Sequence, residues 1–108
     1  AEGRVAIDHV IETTARHFGV ARDDLRGHGR ERSLADARQL AMYLCRTLCD
    51  ASFAAIAAAF NGRDHSTVVY AVRRVEKRRL RDASLDLTLG ALERTLRDIA
   101  RKRAKDEL

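Results

Sequence analysis

The chain has 108 residues, 45% of them apolar and mostly Ala, Leu and Val, with no proline and two cysteines, which allows one modest helical core without a disulfide framework. Five aromatic residues are too few for a stacking platform on single-stranded nucleic acid. The longest uncharged stretch, from Ala51 up to Arg63, is too short and too Ala-rich to span a bilayer. With no signal peptide the chain is expected in the cytoplasm, and without an initiator Met it reads as a piece of a longer protein.

The net charge is +5 at pH 7, unevenly spread. Residues 1–25 carry a net of −2, residues 26–82 a net of +6, and residues 83–108 a net of +1. A basic surplus confined to the middle of the chain is the footprint of a polyanionic partner, with a solvated surface as the rival reading.

In chain order, Val5 to Phe18 sets Ile7, Val10, Ile11, Thr14, Ala15 and Phe18 on one helical face, and Gly19 ends that helix. Val20 to Leu25 is expected as a short turn dropping Val20 and Leu25 into the core. Residues 26–32 form a basic loop with two glycines, too polar to pack and free to reach outward. Ser33 is expected to cap a helix from Leu34 to about Cys49, with Asp36 in a weak capping box. Its stripe is Leu34, Ala37, Ala41, Leu44 and Leu48, with Leu40 beside it. Arg38, Gln39, Met42 and Arg46 lie off the stripe.

Asp50 or Ser52 then caps a short helix, Phe53 to Phe60, facing the core with Phe53, Ile56, Ala57 and Phe60. Asn61 and Gly62 tolerate positive φ and redirect the chain, and a helix follows from about His65 to Leu80. Asp64 is its expected N-cap, with its carboxylate on the backbone near Thr67. Short helix, tight turn and longer helix with a polar start make a helix-turn-helix, expected over residues 52–81. The outward group Arg63, His65, Ser66 and Thr67, above the apolar stripe Val68, Ala71, Val72 and Val75, suits base edges in a major groove. Ser84 is expected to cap a last helix bearing Leu85, Leu89, Leu92, Leu96 and Ile99, in a C-terminal segment 84–108 whose tail frays from Arg101. The whole reads as all-α, one helical bundle over residues 1–108.

Three stretches carry a specific resemblance. They are Arg38-Gln39-Leu40-Ala41-Met42-Tyr43-Leu44-Cys45-Arg46, then Ser52, Ile56 and Phe60, then Gly62-Arg63-Asp64-His65-Ser66-Thr67-Val68. Together they resemble the C-terminal DNA-binding domain of the bacterial replication initiator DnaA family, from about Ile7 to Glu76. That resemblance implies duplex DNA as partner, bound at a short asymmetric element, the DnaA box. It places Asp64, His65, Ser66 and Thr67 at base edges, Thr67 sharing itself with phosphate, and Arg30 in the adjacent minor groove. Arg38, Gln39 and Arg46, with Arg63, hold the phosphate backbone. Ala57 and Asn61 stand where the family usually has Gly, and Cys49 where Thr is common.

The chemistry of these residue types agrees. His, Ser and Thr donate, accept or meet a thymine methyl, an acid accepts from cytosine N4, and arginine suits a narrow A·T minor groove. For each there is a plainer alternative: Asp64 as a cap alone, Arg30 as a solvated loop charge, Arg38, Gln39 and Arg46 as the polar rim of a helix. Cys45 and Cys49, one helical turn apart, read as free thiols rather than a metal site or a disulfide. No phosphate-binding loop is present, so no cofactor is expected here, and the ATP chemistry of a full initiator would lie in another domain. The isolated domain is expected to be a non-catalytic monomer, open to regulatory proteins. Two other functions remain: a stand-alone transcriptional regulator with the same fold, or a helical interaction module that docks a partner on its hydrophobic last helix.

Overall fold

A computed structural model describes residues 4–107 and contains six helices: α1 (Ile7–Phe18), α2 (Arg22–Arg26), α3 (Arg32–Leu48), α4 (Phe53–Ala59), α5 (His65–Arg81) and α6 (Ala83–Asp106). There is no strand among the described residues. The all-α expectation holds.

The stops act as their chemistry demands. Gly19 takes φ +66°, and the next amide, Val20 N, returns to the Ala15 carbonyl at 3.0 Å, closing α1 with a left-handed cap. Asn61 (φ +62°) and Gly62 (φ +68°) are two consecutive left-handed residues between α4 and α5. Ser52, not Asp50, caps α4: its hydroxyl accepts from Ala55 N at 3.0 Å.

Two expected caps are corrected. Helix α3 begins at Arg32 with Glu31 in the cap position, so Ser33 lies inside its first turn. Helix α6 is capped by the Asp82 carboxylate, which accepts from Leu85 N at 3.1 Å, so Ser84 is likewise inside. The tail does not fray at Arg101; α6 continues to Asp106.

Helix α3 is the axis of the fold and packs against each of the other five. That position explains a further correction. Met42, expected off the apolar stripe, is 1% exposed, because α3 has neighbours on most sides and little outer face. Phe18, expected inward, is partly exposed and meets His17 edge-on with ring centroids 4.8 Å apart. Leu85, Leu89, Leu92 and Leu96 of α6 are all buried, so the leucine face that an interaction module would present is consumed by the core.

Arg79 fixes α5 to its neighbours. It donates to both carboxylate oxygens of Glu93 (2.8 and 2.9 Å), to Asp86 (2.7 Å) and to the Tyr43 hydroxyl (3.1 Å). The Glu93 and Asp86 acceptors hold its guanidinium above the usual arginine range. Arg78 bonds Asp36 of α3. The basic run at the end of α5 is therefore partly spent inside the molecule.

Candidate nucleic-acid interface

The turn before α5 is wound tightly. Phe60 is fully buried beneath it, Phe60 N bonds the Ile56 carbonyl at 3.1 Å, and Arg63 N reaches back to the Ala57 carbonyl at 3.0 Å. With the two left-handed residues between them, these bonds fix the angle at which α5 leaves. Asp64 occupies the N-cap position with extended backbone, and its carbonyl accepts from Thr67 N (3.1 Å) and Val68 N (3.3 Å). Its carboxylate makes no cap bond, contrary to the expectation. The carboxylate is exposed beside His65, Ser66 and Thr67, all three exposed too, while Val68, Ala71, Val72 and Val75 face the core. Four polar side chains at a helix start face solvent together.

Phe53 connects this start to α3. Its ring lies tilted against the His65 imidazole at 5.7 Å, and the Arg46 guanidinium covers it at 4.1 Å from the centroid. Arg46 also donates to the Ala51 carbonyl at 2.9 Å. Phe53, expected only as core, is thus the support that brings Arg46 and His65 together. Nothing in its apolar character distinguishes that role in sequence.

The other expected phosphate ligands fare differently. Gln39 is half-buried, and its Oε1 is enclosed without a partner among the described residues. Arg38 is 5% exposed, which corrects its place on an outer rim. Its Nε donates to the Leu25 carbonyl (2.7 Å), Nη1 to Gly29 (3.0 Å) and Nη2 to Asp24 (2.8 Å). Burial, and then the neighbouring Arg63 charge, draws Arg38 below the usual arginine range. Arg63 is half-buried, donates to the Gly27 carbonyl, and is lowered by its own burial.

The basic loop is correspondingly less free than expected. Besides these bonds, Arg26 Nε donates to the Ala59 carbonyl at 2.8 Å, so loop and helix-turn-helix exchange one arginine each. Gly27 leaves only tight room for a side chain, since a Cβ there would lie 3.1 Å from the Asp23 carbonyl oxygen. Only the outer residues, His28 and Arg30 among them, present side chains to solvent. Arg30 sits next to the Gly29 anchor.

Beyond the first turn of α5, Ser66, Val69, Tyr70, Arg73, Arg74 and Lys77 line a shallow groove of about 440 Å³. Tyr70 is 61% exposed. Apart from Ser66, these positions were not picked out from sequence, although the i, i+3, i+4, i+7 spacing opposite the core stripe was the available signal.

A basic, solvent-facing recognition helix set by a tight turn against a shorter supporting helix defines a helix-turn-helix DNA-binding domain. The chain belongs to the bacterial dnaA protein helix-turn-helix family, whose model matches residues 7–75. It is 52% identical over 69 residues to the chromosomal replication initiator protein DnaA of Corynebacterium jeikeium, covering 64% of this chain and 12% of that protein. Identity to the DnaA of Caulobacter vibrioides is 43% over 96 residues, 89% of this chain and 20% of the relative. The solved structure of AMPPCP-bound DnaA from Aquifex aeolicus superimposes with a TM-score of 0.72 at 34% identity, over 85% of this chain and 27% of that one. The chain thus spans about a fifth or less of the length of these curated relatives.

Proposed function

We propose that the domain recognises a DnaA-box-like duplex element and, as part of a replication initiator, brings the rest of that protein to an origin. Asp64, His65, Ser66 and Thr67 read base edges in the major groove, with Thr67 also reaching phosphate. Arg30 enters the neighbouring minor groove. Arg46 and Gln39 meet the backbone, and the exposed Arg73, Arg74 and Lys77 extend the positive surface along α5. Arg38 and Arg63 act one step removed, by holding the basic loop against the helix-turn-helix. Any nucleotide chemistry belongs to parts of an initiator outside these 108 residues.

The observation that carries this reading is the exposed quartet at the α5 start, with His65 seated on Phe53 and the Asp64 carboxylate left without an internal partner. Its residues combine donors, acceptors and a methyl, the inventory that distinguishes base pairs in a major groove. Titration of His65→Ala against a box duplex and a random duplex tests it. The box should lose about 1–3 kcal/mol while random binding is nearly unchanged. Equal weakening toward both would remove His65 from the base-reading set.

A further inference from the structure

A second concave surface shares no residue with the helix-turn-helix face. It is a cleft of about 670 Å³ between the segment entering α1, the last turn of α3 and the middle of α6. Arg4, Arg94, Arg97 and Arg101 line it, against one acid, Asp98, which is bonded to Arg101. Arg4, Arg94 and Arg97 have no carboxylate within ion-pair distance among the described residues. Arg16, Arg22, Arg78 and Arg79 each have one, while Arg30, Arg73 and Arg74 on the helix-turn-helix side, like the three in the cleft, have none among the described residues. Several arginines lining one concave surface focus a positive potential there.

Gly90 supplies an independent observation. It lies in the interior of the 24-residue α6 and lines the same cleft. Glycine weakens a helix interior relative to alanine. Yet a Cβ at Gly90 would meet nothing within 4 Å, and its backbone is not in the left-handed region. Neither packing nor conformation within the chain calls for glycine there. Its effect is to open the α6 backbone to whatever occupies the cleft.

We propose that this cleft is a second phosphate site, taking phosphodiester groups of DNA outside the element held by the helix-turn-helix. All four cations are arginine, whose planar fork matches phosphate oxygens two at a time and is weakly hydrated. The identity of the polyanion rests on the DNA-binding reading above. The phosphates come from the flank of the same duplex or from a second duplex, and the two sources separate experimentally.

The test measures the affinity of the whole chain for a box-only duplex and for the same box with a flank on each side, at 50 and 200 mM salt. A ternary-complex assay with a second, random duplex forms the trans arm. Two phosphate contacts steepen the log–log salt slope by roughly 1.8, so the flanked-to-short affinity ratio should fall by about tenfold between those salts. Arg94→Gln/Arg97→Gln should abolish that ratio, or the ternary complex, and leave box-only binding unchanged. Gly90→Met, which fills the cleft without touching a charge, should do the same while melting no lower than the parent, which keeps the test valid should the double variant fold poorly.

No gain in cis or trans for the parent chain overturns the proposal. So do variants that keep the gain, variants that lose box-only binding equally, or an acidic peptide that occupies the cleft where random duplex does not. Loss of the box preference itself would instead refute the helix-turn-helix reading, a separate outcome.

Discussion

Arg38→Met separates a structural clamp from a phosphate ligand. The substitution keeps the length of the side chain and removes three donors, stranding the carbonyls of Leu25 and Gly29 and leaving that of Asp24 with the Gly27 amide alone. Charge-assisted bonds contribute about 1.5–3 kcal/mol each, so simple addition gives an upper bound of roughly 4.5–9 kcal/mol. Asp24 and Gly29 are exposed residues, and the Asp24 carbonyl keeps the Gly27 amide, whereas Leu25 is fully buried. Removing the charge beside Arg63 also relieves a repulsion. The net loss should be about 3 kcal/mol, dominated by the buried Leu25 carbonyl. For a chain of this size 1 kcal/mol moves the melting temperature by about 4 °C, so a fall of roughly 12 °C is expected by calorimetry. Box affinity should drop as well, through loss of the loop that carries Arg30. A melting temperature within about 2 °C of the parent, with the salt slope lower by about one unit, would show that Arg38 is a phosphate ligand and that the clamp reasoning is wrong.

Three further outcomes are expected. Arg30→Ala should weaken binding most for boxes with an A·T-rich end, and a double-mutant cycle against G·C pairs at that end should give a coupling; simple additivity would make Arg30 a general charge. Asp82→Ala should cost about 1 kcal/mol in urea unfolding by uncapping α6, whereas Ser84→Ala should stay within about 0.5 kcal/mol, the reverse of what the serine's sequence position implies. Cys49 should alkylate before Cys45, followed by mass spectrometry at rising pH: the hydrogen bond between the thiols lowers Cys49 and raises Cys45, and Cys45 is fully buried.

Helix order was readable because each stop has local chemistry. Gly19 and Asn61-Gly62 are residues that accept left-handed backbone, and the stripes Val10-Ile11-Thr14-Ala15 and Val68-Ala71-Val72-Val75 fit one helical face each. The caps were less readable. Glu31 and Ser33, or Asp82 and Ser84, place two polar candidates within two residues, and only the path of the backbone selects between them. The quartet at the α5 start was legible as a group of exposed polar residues, since any residue just past a tight turn and off the apolar stripe faces outward. The direction of the Asp64 carboxylate was not, because a cap bond and a free carboxylate share one sequence. The burial of Arg38 was not legible for a different reason. Spacing locates it off the apolar stripe, but α3 is surrounded, and the side chain's surroundings are set by carbonyls that arrive from nine to fourteen residues away.

Those carbonyls explain why a basic domain buries an arginine beside another. Asp24 and Leu25 lie in the last turn of α2, where carbonyl oxygens are short of helical partners, although Asp24 also accepts from Gly27 N at 3.2 Å, and the helix dipole ends negative. Ala59, which receives Arg26, is the last residue of α4. A guanidinium satisfies several such oxygens at once with its fixed fork, and it adds a charge of favourable sign at a helix C-terminus; lysine offers a single point charge and less geometry. The consequence is mechanical. Arg30 and His65 are 35 positions apart and emerge on separate segments. The cross-bonds Arg26 to Ala59, Arg63 to Gly27 and Arg38 to Gly29 make those segments one body. If Arg30 and His65 read adjacent grooves as proposed, a spacing fixed before DNA arrives favours reading both, because every degree of freedom frozen on binding subtracts from affinity. On that proposal, Arg26, Arg38 and Arg63 bear on specificity through the separation they maintain.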